Sequence, residues 1–393
     1  MLDALIHRRQ FLRAAAATAA GLVTAGPLTR AARASEPLAI DEPFHGAVLN
    51  WRHGRQTSEA LTIQVRGRAP LRDRVTVNGV LAQRAGTQFS AEATLRDKET
   101  DIVAVSQGSS GIAEHRVRVV WDRYSQPRYR FAIDDNIFFL RDVAQRGYRS
   151  LFECHYLGML RHLHRQYGAR FVLNVYFAAG DGFNLTQFPD RYRKEWEENA
   201  DWLKLAFHAH ANDPSRPYQY ASPQALIADL DQVVEQILRF AGEQAHSPTT
   251  LIHWAMVPPA AFKLLAQRGV RTLGGYFRRG NAGWDINYSL DDARSEYLSR
   301  NDALKDFDSG IVFTKVDLVC NHLASLEGVV PTLEPLPGDP RQAEIMDLTT
   351  HEQPFWGDQF PDQSQRVETA IRWVTQRGYK PVFFHEGFLG GRA

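Results

Sequence analysis

The segment Phe131-Ala-Ile-Asp134-Asp135 is a short apolar run that ends in two adjacent carboxylates. After Pro127, short apolar runs of this kind alternate with long amphipathic segments, a pattern typical of strand–helix units around a parallel sheet. The predicted strands cover 130–134, 171–177, 203–208, 250–254, 272–276, 344–349 and 381–384. The predicted helices cover 151–167, 223–241, 259–267 and 364–375. We therefore expect an α/β fold over 128–393, a seven-stranded (β/α) barrel or strongly curled sheet.

The sequence upstream of this region, 40–125, has a different periodicity. Apolar and polar residues alternate at period two in four short runs, and turn residues such as Asn78-Gly79 lie between them. The runs are 61–65, 75–77, 102–105 and 117–120. This pattern predicts a small all-β sandwich of immunoglobulin-like type. It is similar to the accessory modules of many bacterial carbohydrate-active enzymes.

The first 34 residues have the composition of an export signal. The run His7-Arg8-Arg9-Gln10-Phe11-Leu12-Arg13 precedes an uncharged stretch, and Ala32-Arg33-Ala34 fits a peptidase cleavage site. The arginine pair resembles the twin-arginine type of signal. The sequence therefore predicts export to the periplasm or secretion, with a frayed N-terminal helix as the alternative.

Composition excludes several classes of partner. Lys+Arg 46 against Asp+Glu 45 leaves a formal charge of +1, without the basic excess that nucleic-acid binding needs. No uncharged apolar run reaches the roughly 20 residues of a membrane-spanning helix, so no membrane association is expected after signal removal. Cys154 and Cys320 are too few and too far apart in sequence for a zinc knuckle. A single bridge between them stays open, and the oligomeric state is not predicted.

Ionisable and aromatic side chains recur where the predicted strands end. Parallel strands are buried on both faces, so each polar group at a strand end needs a partner, and a shared metal ion or substrate could serve several groups together. In barrels of this kind the chemistry lies at the carboxyl ends of the strands. Besides the two aspartates, the candidates are Tyr176, His208, His210, His253, Trp254, Tyr276, His351, Glu352, His385 and Glu386.

The aspartate pair and one of the histidines resemble motifs of the polysaccharide deacetylase (NodB-like) family. That family has an apolar strand ending in two aspartates, and the resemblance implies that Asp134 is the catalytic base and Asp135 a metal ligand. Its second motif has two histidines four residues apart. Here His208 keeps the first position and Asn212 replaces the second, so either the Asn212 carbonyl or the neighbouring His210 could complete the metal site.

The last motif of the family also has a counterpart. A strand ends at His351, a helix follows, and Gly378-Tyr379 then leads into the final strand, so the resemblance implies that His351 is the catalytic acid. Where the family has an Arg before a Pro-aromatic pair, this chain has His253-Trp254. The resemblance covers about 128–388. It implies a NodB-like barrel and a divalent metal ion, with zinc as the expected metal.

These residues predict a metal-dependent hydrolase that removes acyl groups from a polysaccharide or oligosaccharide. Such a reaction needs an activated water, an electrophile for the carbonyl oxygen and an acid for the leaving group. The residues Tyr176, His253, Trp254, Tyr276, Glu352, His385 and Glu386 are then candidates for substrate binding. The segment 281–343 lacks a clear period and is expected to form a lid or cleft wall.

Two alternatives remain. One is a glycoside hydrolase or lyase that pairs Asp134 with Glu352 or Glu386 as acid and base. The other is a glycan-binding protein without catalysis.

Overall fold

A computed structural model describes residues 37–109 and 111–392. The predicted export signal, 1–34, lies outside the described residues. The first strands are β1 (Ala39–Glu42), β2 (Val48–Leu49), β3 (Gly54–Gln56), β4 (Leu61–Arg68), β5 (Arg74–Val77), β6 (Val80–Leu81), β7 (Gln83–Ala85), β8 (Gln88–Leu95), β9 (Glu99–Gly108) and β10 (Gly111–Trp121). They form two sheets, one in the order β1-β4-β8-β7 with β3 added beside β4, the other in the order β2-β10-β9-β5-β6.

The period-two pattern of the sequence produces these sheets. Strands β4 and β8 bury every second side chain, and the buried side chains of both sheets share one apolar core. Asn78 and Gly79 connect β5 to β6 with φ of 46° and 82°, the left-handed conformation that a tight hairpin turn requires. The predicted strands of this region are confirmed, while the immunoglobulin-like assignment stays a prediction.

The remainder of the chain is a mixed α/β structure, as predicted. Its strands are β11 (Arg128–Asn136), β12 (Phe171–Tyr176), β13 (Leu203–Ala209), β14 (Thr272–Gly275), β15 (Arg278–Gly280), β16 (Gly283–Asp285), β17 (Ala303–Lys305), β18 (Val312–Lys315), β19 (Leu318–Val319), β20 (Ile345–His351) and β21 (Lys380–Pro381). Its helices are α1 (Phe138–Arg146), α2 (His155–Tyr167), α3 (Arg193–Glu198), α4 (Pro223–Phe240), α5 (Phe262–Gln267), α6 (Asp292–Leu298), α7 (Val329–Leu333) and α8 (Gln363–Gln376).

The seven-stranded barrel is not confirmed. Strands β13-β12-β11-β20-β19 form one parallel sheet with β21 beside β11. Strands β14-β18-β17 form a second, mixed sheet, in which β14 and β18 are parallel and β17 is antiparallel to β18. The predicted strand 250–254 is irregular, because Trp254 and Ala255 have φ of 61° and 46°. The chain around it contributes isolated backbone hydrogen bonds instead, from Ser247 N to Leu205 O and from Gly274 N to Thr250 O, both 2.8 Å. Among the described strands, backbone pairing therefore does not continue around a complete barrel.

The segment 281–343 is not simply a lid. It contains β16, β17, β18, β19, α6 and α7, and two of these strands extend the parallel pairing beside β14 and β20. The sequence did not show this because the strands are only two to four residues long. Strands of that length carry too little periodicity to be recognised.

Strand β11 has a polar face and an apolar face. Tyr129, Phe131 and Ile133 belong to the large apolar core, whereas the alternate positions include Arg130 and Asp134. Arg130 forms a fully buried ion pair with Asp347 of β20. Buried charges need partners, and here each charge is the partner of the other. The polar character of this face therefore extends from the middle of the strands to their carboxyl ends.

The sandwich and the α/β part are joined by buried polar contacts. Arg128 at the start of β11 pairs with Asp122, 2.6 Å away, just after β10. Glu344 before β20 accepts hydrogen bonds from Trp51 Nε1 at 3.1 Å and Ser125 Oγ at 2.8 Å. The described residues cluster as one unit. The predicted division into domains at 40–125 and 128–393 therefore stays a prediction. Among the described residues, no helix combines the length and apolar character needed to cross a bilayer.

Candidate metal centre

Strand β11 departs from regular geometry at the aspartate pair. Asp135 has φ 63°, and the pairing of β11 with β12 shifts register between Ile133 and Asn136. Adjacent residues of a regular strand point to opposite faces, and a bulge with one left-handed residue redirects a side chain. Asp tolerates the left-handed region better than most residues do. The irregularity allows Asp134 and Asp135 both to lie buried at the same edge of the sheet.

Asp135, His208 and His253 bring three potential metal-binding atoms together. His208 Nε2 lies 3.0 Å from Asp135 Oδ1, and His253 Nδ1 lies 3.3 Å from the same oxygen. The two histidine nitrogens are 3.2 Å apart. Asp135 lies near the end of β11, His208 lies near the end of β13, and His253 comes from the irregular segment that precedes β14. The structure thus brings Asp135 and His208 together, with Asp134 beside them, and it adds His253, which the sequence suggested only as a substrate contact.

Hydrogen bonding fixes how the two imidazoles face the cluster. His208 Nδ1 lies 2.9 Å from the Leu251 carbonyl oxygen and therefore donates its proton there. Its Nε2 then presents a lone pair to the Asp135 carboxylate. Two lone pairs at 3.0 Å repel each other unless a cation, either a proton or a metal ion, lies between them. The cluster is built to hold positive charge.

The electrostatics of the three groups agree with this requirement. Burial opposes the charged form of His208, yet the hydrogen bond to Asp135 and the charges of both aspartates raise the pKa of His208. Burial likewise opposes ionisation of Asp135, yet hydrogen bonds with His208 and His253 hold the pKa of Asp135 well below its ordinary value. Burial lowers the pKa of His253, which favours the neutral, metal-binding form.

The donor set fits a divalent ion. With ligand distances of about 2.0–2.1 Å, neighbouring ligand atoms of a tetrahedral zinc site are roughly 3.3 Å apart. The separations of 3.0–3.3 Å within this cluster match that spacing. Two imidazoles and one carboxylate also suit iron or other first-row divalent metals.

Two further side chains touch the cluster. The Tyr176 hydroxyl, at the end of β12, donates a hydrogen bond to Asp135 Oδ1 and lies 3.0 Å from His253 Nδ1. Gln353 Nε2 donates to the other oxygen of Asp135 at 2.9 Å. Burial and the Asp135 charge raise the pKa of Tyr176 far above its ordinary value. Tyr176 was expected to contact substrate, whereas the structure buries it against the metal-binding atoms.

Asp134 lies beside the cluster and has its own partners. Its Oδ1 accepts a hydrogen bond from Asn174 Nδ2 at 2.6 Å, and its Oδ2 accepts one from Thr349 Oγ1 at 3.3 Å. These partners come from the neighbouring strands β12 and β20, so the carboxylate is held in one orientation. Asp134 is not among the three residues of the candidate metal-binding group, and its role as a base stays a prediction.

His351 ends β20 and is oriented by Asn321. Asn321 Oδ1 accepts from His351 Nδ1 at 2.9 Å and from the His351 backbone N–H at 3.2 Å. The proton on Nδ1 leaves Nε2 as the nitrogen that can exchange a proton with a substrate. His351, Asn321, Gln353 and Phe360 line a pocket of about 320 Å³. Because Gln353 also touches Asp135, this pocket adjoins the metal-binding cluster.

The residues proposed to complete the metal site are only partly brought to it. His210 is not in the cluster, since its ring stacks on Phe177 and its Nδ1 lies 3.8 Å from Asp229. The pairing of β12 with β13 shifts register beside His208. Because of this bulge, His208 and His210 do not point in the same direction. Asn212 Oδ1 lies 3.4 Å from the Tyr176 hydroxyl, beyond the three donor atoms. His253 occupies the position expected of either residue.

Trp254 and Tyr276 lie at the edge of the site. Trp254 is 37% exposed beside His253, with the Arg216 guanidinium 4.6 Å from its ring centre. The Tyr276 hydroxyl is buried without a hydrogen-bond partner in the described part of the chain. Both positions are compatible with substrate contact, which stays a prediction.

Glu352 does not line the cleft. It is fully buried, and its carboxylate accepts hydrogen bonds from the backbone N–H groups of Ile137, Phe138 and Phe139 at 2.6–2.8 Å. Burial raises the pKa of Glu352 to about 7, and the three N–H groups oppose that shift. Glu352 therefore caps the N-terminus of α1. Its position in the sequence, directly after a strand, does not predict this role.

His385 and Glu386 lie at the opposite edge of the sheet. Strand β21 pairs with the first residues of β11, so the chain after it remains near the amino ends of the strands. His385 Nδ1 contacts Ser247 Oγ at 2.9 Å, and Glu386 pairs with Arg170, the residue before β12, at 3.2 Å. The expectation that they bind substrate is wrong.

Sequence reasoning missed Asn321, Gln353 and Asn174. Gln353 follows His351-Glu352 directly and could have been included with the strand end. Asn321 follows a two-residue strand inside a segment without a period, and nothing in the sequence marks it. Cys154 and Cys320, whose pairing was left open, are both free and buried.

Comparison with known proteins assigns no family. No family model matches the chain, and neither does any curated protein. The 4-α-glucanotransferase of Thermococcus litoralis is 11% identical with a TM-score of 0.42, and the alignment covers 66% of this chain and 39% of that one. A Bacteroides ovatus GH5 xyloglucanase is 10% identical with a TM-score of 0.22, covering 86% of this chain and 100% of that one. This chain therefore spans well under half of the glucanotransferase, and neither likeness defines its fold or its activity.

Proposed function

We propose that this protein is a metal-dependent hydrolase that removes acyl groups from a carbohydrate. The observation that carries the proposal is the convergence of Asp135, His208 and His253, whose donor atoms lie 3.0–3.3 Å from one another. A divalent cation held there would polarise a substrate carbonyl and lower the pKa of a water molecule. Zinc fits the spacing, and the NodB-like motifs that end in Asp135 and His351 support the same chemistry.

The other residues of the site supply the proton transfers. Asp134, held by Asn174 and Thr349, is positioned to take a proton from water. His351, held through Nδ1 by Asn321, can give a proton to the departing alcohol or amine from Nε2. A base and an acid on separate strands allow the two transfers to occur on different sides of the scissile bond.

A sugar is the substrate class that these surroundings favour. The pocket beside His351 has about 320 Å³, near the lower end of the range for small-molecule sites, and it presents amide and imidazole groups together with Phe360. Trp254 exposes part of its indole next to His253, where a sugar ring could stack. The glycosidase alternative is weakened, because Glu352 caps a helix and Glu386 pairs with Arg170.

The test is acetate release from acetylated oligosaccharides, both N-acetylated and O-acetylated, by protein loaded with Zn²⁺. We expect release that chelation abolishes and Zn²⁺ restores, and that Asp134→Asn reduces at least 100-fold without loss of bound metal. His246→Asn, a change at the residue that forms an isolated bridge with Leu205 in the first half of β13, serves as a control that keeps activity. If the wild type retains no divalent ion when Zn²⁺, Mn²⁺, Co²⁺ or Fe²⁺ is supplied, the proposal fails. Sugar binding with bound metal but without acetate release would instead indicate a glycan-binding protein.

A further inference from the structure

A pocket of about 260 Å³ lies beside the end of β10, and its charged side chains are mostly basic. The turn between β8 and β9 supplies two cations, the chain after β10 a third, and the segment after β21 a fourth; in that order they are Arg96, Lys98, Arg123 and Arg392, all exposed. Among the described residues, the lining has one carboxylate, that of Asp122, and the exposed Asp97 is not part of it. Four cations against one carboxylate leave an excess of three positive charges.

The carboxylate of the pocket and its neighbour in β9 are both already paired. Asp122 Oδ2 lies 2.6 Å from Nη2 of the buried Arg128, so its charge is compensated from the interior. Glu99, at the start of β9, pairs with Arg118 and with Lys305. Within the described part of the chain, none of the four lining cations forms an ion pair. The pocket therefore has no carboxylate among these residues that could serve as its counter-ion.

Aromatic rings stabilise the cations at the wall of the pocket. The Lys98 ammonium lies 5.3 Å from the ring centre of Phe388. The guanidinium groups of Arg123 and Arg392 lie 5.6 Å and 5.5 Å from the ring centre of Tyr124. A ring attracts a cation through its quadrupole but carries no net charge. These contacts therefore position the cations without neutralising them.

We propose that this pocket binds the sulfate, phosphate or carboxylate group of a saccharide. Like charges that line one concave site repel each other, and their summed field attracts an anion. Guanidinium groups bind such oxygens through paired charged hydrogen bonds, and an ammonium adds a point charge. The volume lies just below the range of about 300–1,000 Å³ for small-molecule sites, so it fits a substituent better than an extended ligand. The choice of a saccharide as carrier rests on the proposed function, whereas the oxyanion site itself does not.

The pocket is far from the candidate metal centre. Arg128, the first residue of β11, donates to the carbonyl oxygen of Leu389 at 2.9 Å, so the segment after β21 lies near the amino end of that strand. Asp135 is seven residues further along β11, which corresponds to about 23 Å of strand. A group bound in the pocket is therefore not the group that reacts, and it would anchor a saccharide away from the metal centre.

The experiment titrates the full-length protein calorimetrically with a sulfated glucan hexasaccharide, with its unsulfated parent and with inorganic sulfate. We expect binding of the sulfated hexasaccharide that weakens as salt is added, and no binding of the parent. Arg96→Gln/Lys98→Gln should weaken this binding about 10-fold or more, because each lost cation removes a charged hydrogen bond. The matched control is Arg72→Gln/Arg74→Gln. It removes the same charge near the other end of β9, where Arg74 pairs with Gln107, and it should leave the affinity unchanged.

A second measurement needs only the wild type. Lys98 is exposed and can be acetylated by an N-hydroxysuccinimide ester, and peptide mass spectrometry measures the extent. The sulfated hexasaccharide should protect Lys98, and it should not protect Lys194 in α3, whose side chain is 87% exposed. Equal protection of the two lysines, or none at Lys98, would overturn the proposal.

The remaining outcomes identify the ligand and separate this inference from the proposed function. Equal weakening in the two double variants would reveal only a general charge effect and would overturn the pocket as the site. Inorganic sulfate that binds as tightly as the hexasaccharide would overturn the saccharide as the source and identify a free anion as the ligand. Acetate release from a neutral acetylated oligosaccharide should be the same in Arg96→Gln/Lys98→Gln as in the wild type. Loss of that release in the wild type itself would contradict the proposed function and leave the oxyanion site in place.

Discussion

Replacing His253 by alanine should abolish most of the stabilisation that a metal ion gives to the folded protein. His253 Nδ1 is one of three donor atoms, 3.3 Å from Asp135 Oδ1 and 3.2 Å from His208 Nε2. Loss of an indirect supporting partner already costs about 10–100-fold in metal affinity. Loss of a direct ligand should therefore cost at least about 100-fold.

This loss can be converted into a thermal shift. At a free Zn²⁺ concentration about 100 times the wild-type Kd, binding stabilises the fold by about 2.7 kcal/mol. A 100-fold weaker site at the same concentration gives only about 0.4 kcal/mol. With an unfolding entropy of about 2.1 cal/mol/K per residue over roughly 360 residues, the corresponding rises in Tm are about 3.6 °C and 0.5 °C.

The assay is the Zn²⁺-induced change in Tm, measured for each protein with and without the ion, so that the packing cost of each substitution cancels. His210→Ala is the matched control, because the sequence offered His210 as a ligand and the structure turns it toward Asp229. It should keep the full wild-type shift. An unreduced shift in His253→Ala, or a lost shift in His210→Ala, would refute the assignment of His253 as the ligand.

Three further predictions concern the scaffold. Glu352→Ala leaves the backbone N–H groups at the start of α1 without an acceptor and should cost about 2–4 kcal/mol in urea unfolding, with Glu352→Gln near half of that. Arg130→Met leaves the fully buried carboxylate of Asp347 unpaired and should cost about 3–5 kcal/mol, which the double change Arg130→Met/Asp347→Leu should largely restore. Burial lowers the pKa of His246 and of His385 to about 4, below the ordinary 6.5. Between these pH values the unfolded chain takes up protons that the folded chain does not. The free energy of unfolding should therefore fall by about 1–2 kcal/mol per histidine from pH 6.5 to pH 4, and Asn at both positions should flatten that slope.

Periodicity predicted those parts of the fold whose elements are long and regular. Strands β11, β12, β13 and β20 and helices α2, α4 and α8 all lie close to their predicted ranges, because each repeats its apolar period several times. The strands β17, β18 and β19 are only two to four residues long, so the same reasoning interpreted their region as a lid. Whether the sheet closes also depends on the irregular chain before β14, which no repeating pattern specifies.

The residues of the candidate site also differ in how well the sequence predicted them, depending on whether they lie in regular or irregular segments. Asp135 and His208 lie near the ends of predicted strands, so position made them candidates, and the family resemblance implied that they are metal ligands. His253 was recognised as a strand-end residue, but its role as a ligand depends on a segment in which Trp254 and Ala255 are left-handed. Local sequence gives no sign of that conformation, since such backbone geometry is unfavourable for a tryptophan and persists only when the surrounding structure enforces it. Asn321, similarly, is identified only by its contact with His351.

Residues with left-handed backbone conformation occur at or beside the proposed metal ligands, so the surrounding structure must hold the backbone of the site in this conformation. Asp135 is left-handed itself, and Trp254, the residue after His253, is left-handed as well. Such residues cost of order 1–3 kcal/mol each unless their neighbours hold them. Asp135 lies two residues before Ile137, the N-cap of α1, and Glu352 holds this N-terminus through three backbone N–H groups. Glu352 therefore acts as a positioning residue for Asp135 without touching the metal-binding atoms. The same Glu352→Ala change should thus weaken metal affinity as well as stability, and an unaltered affinity would show that the bulge at Asp135 is maintained by the sheet alone.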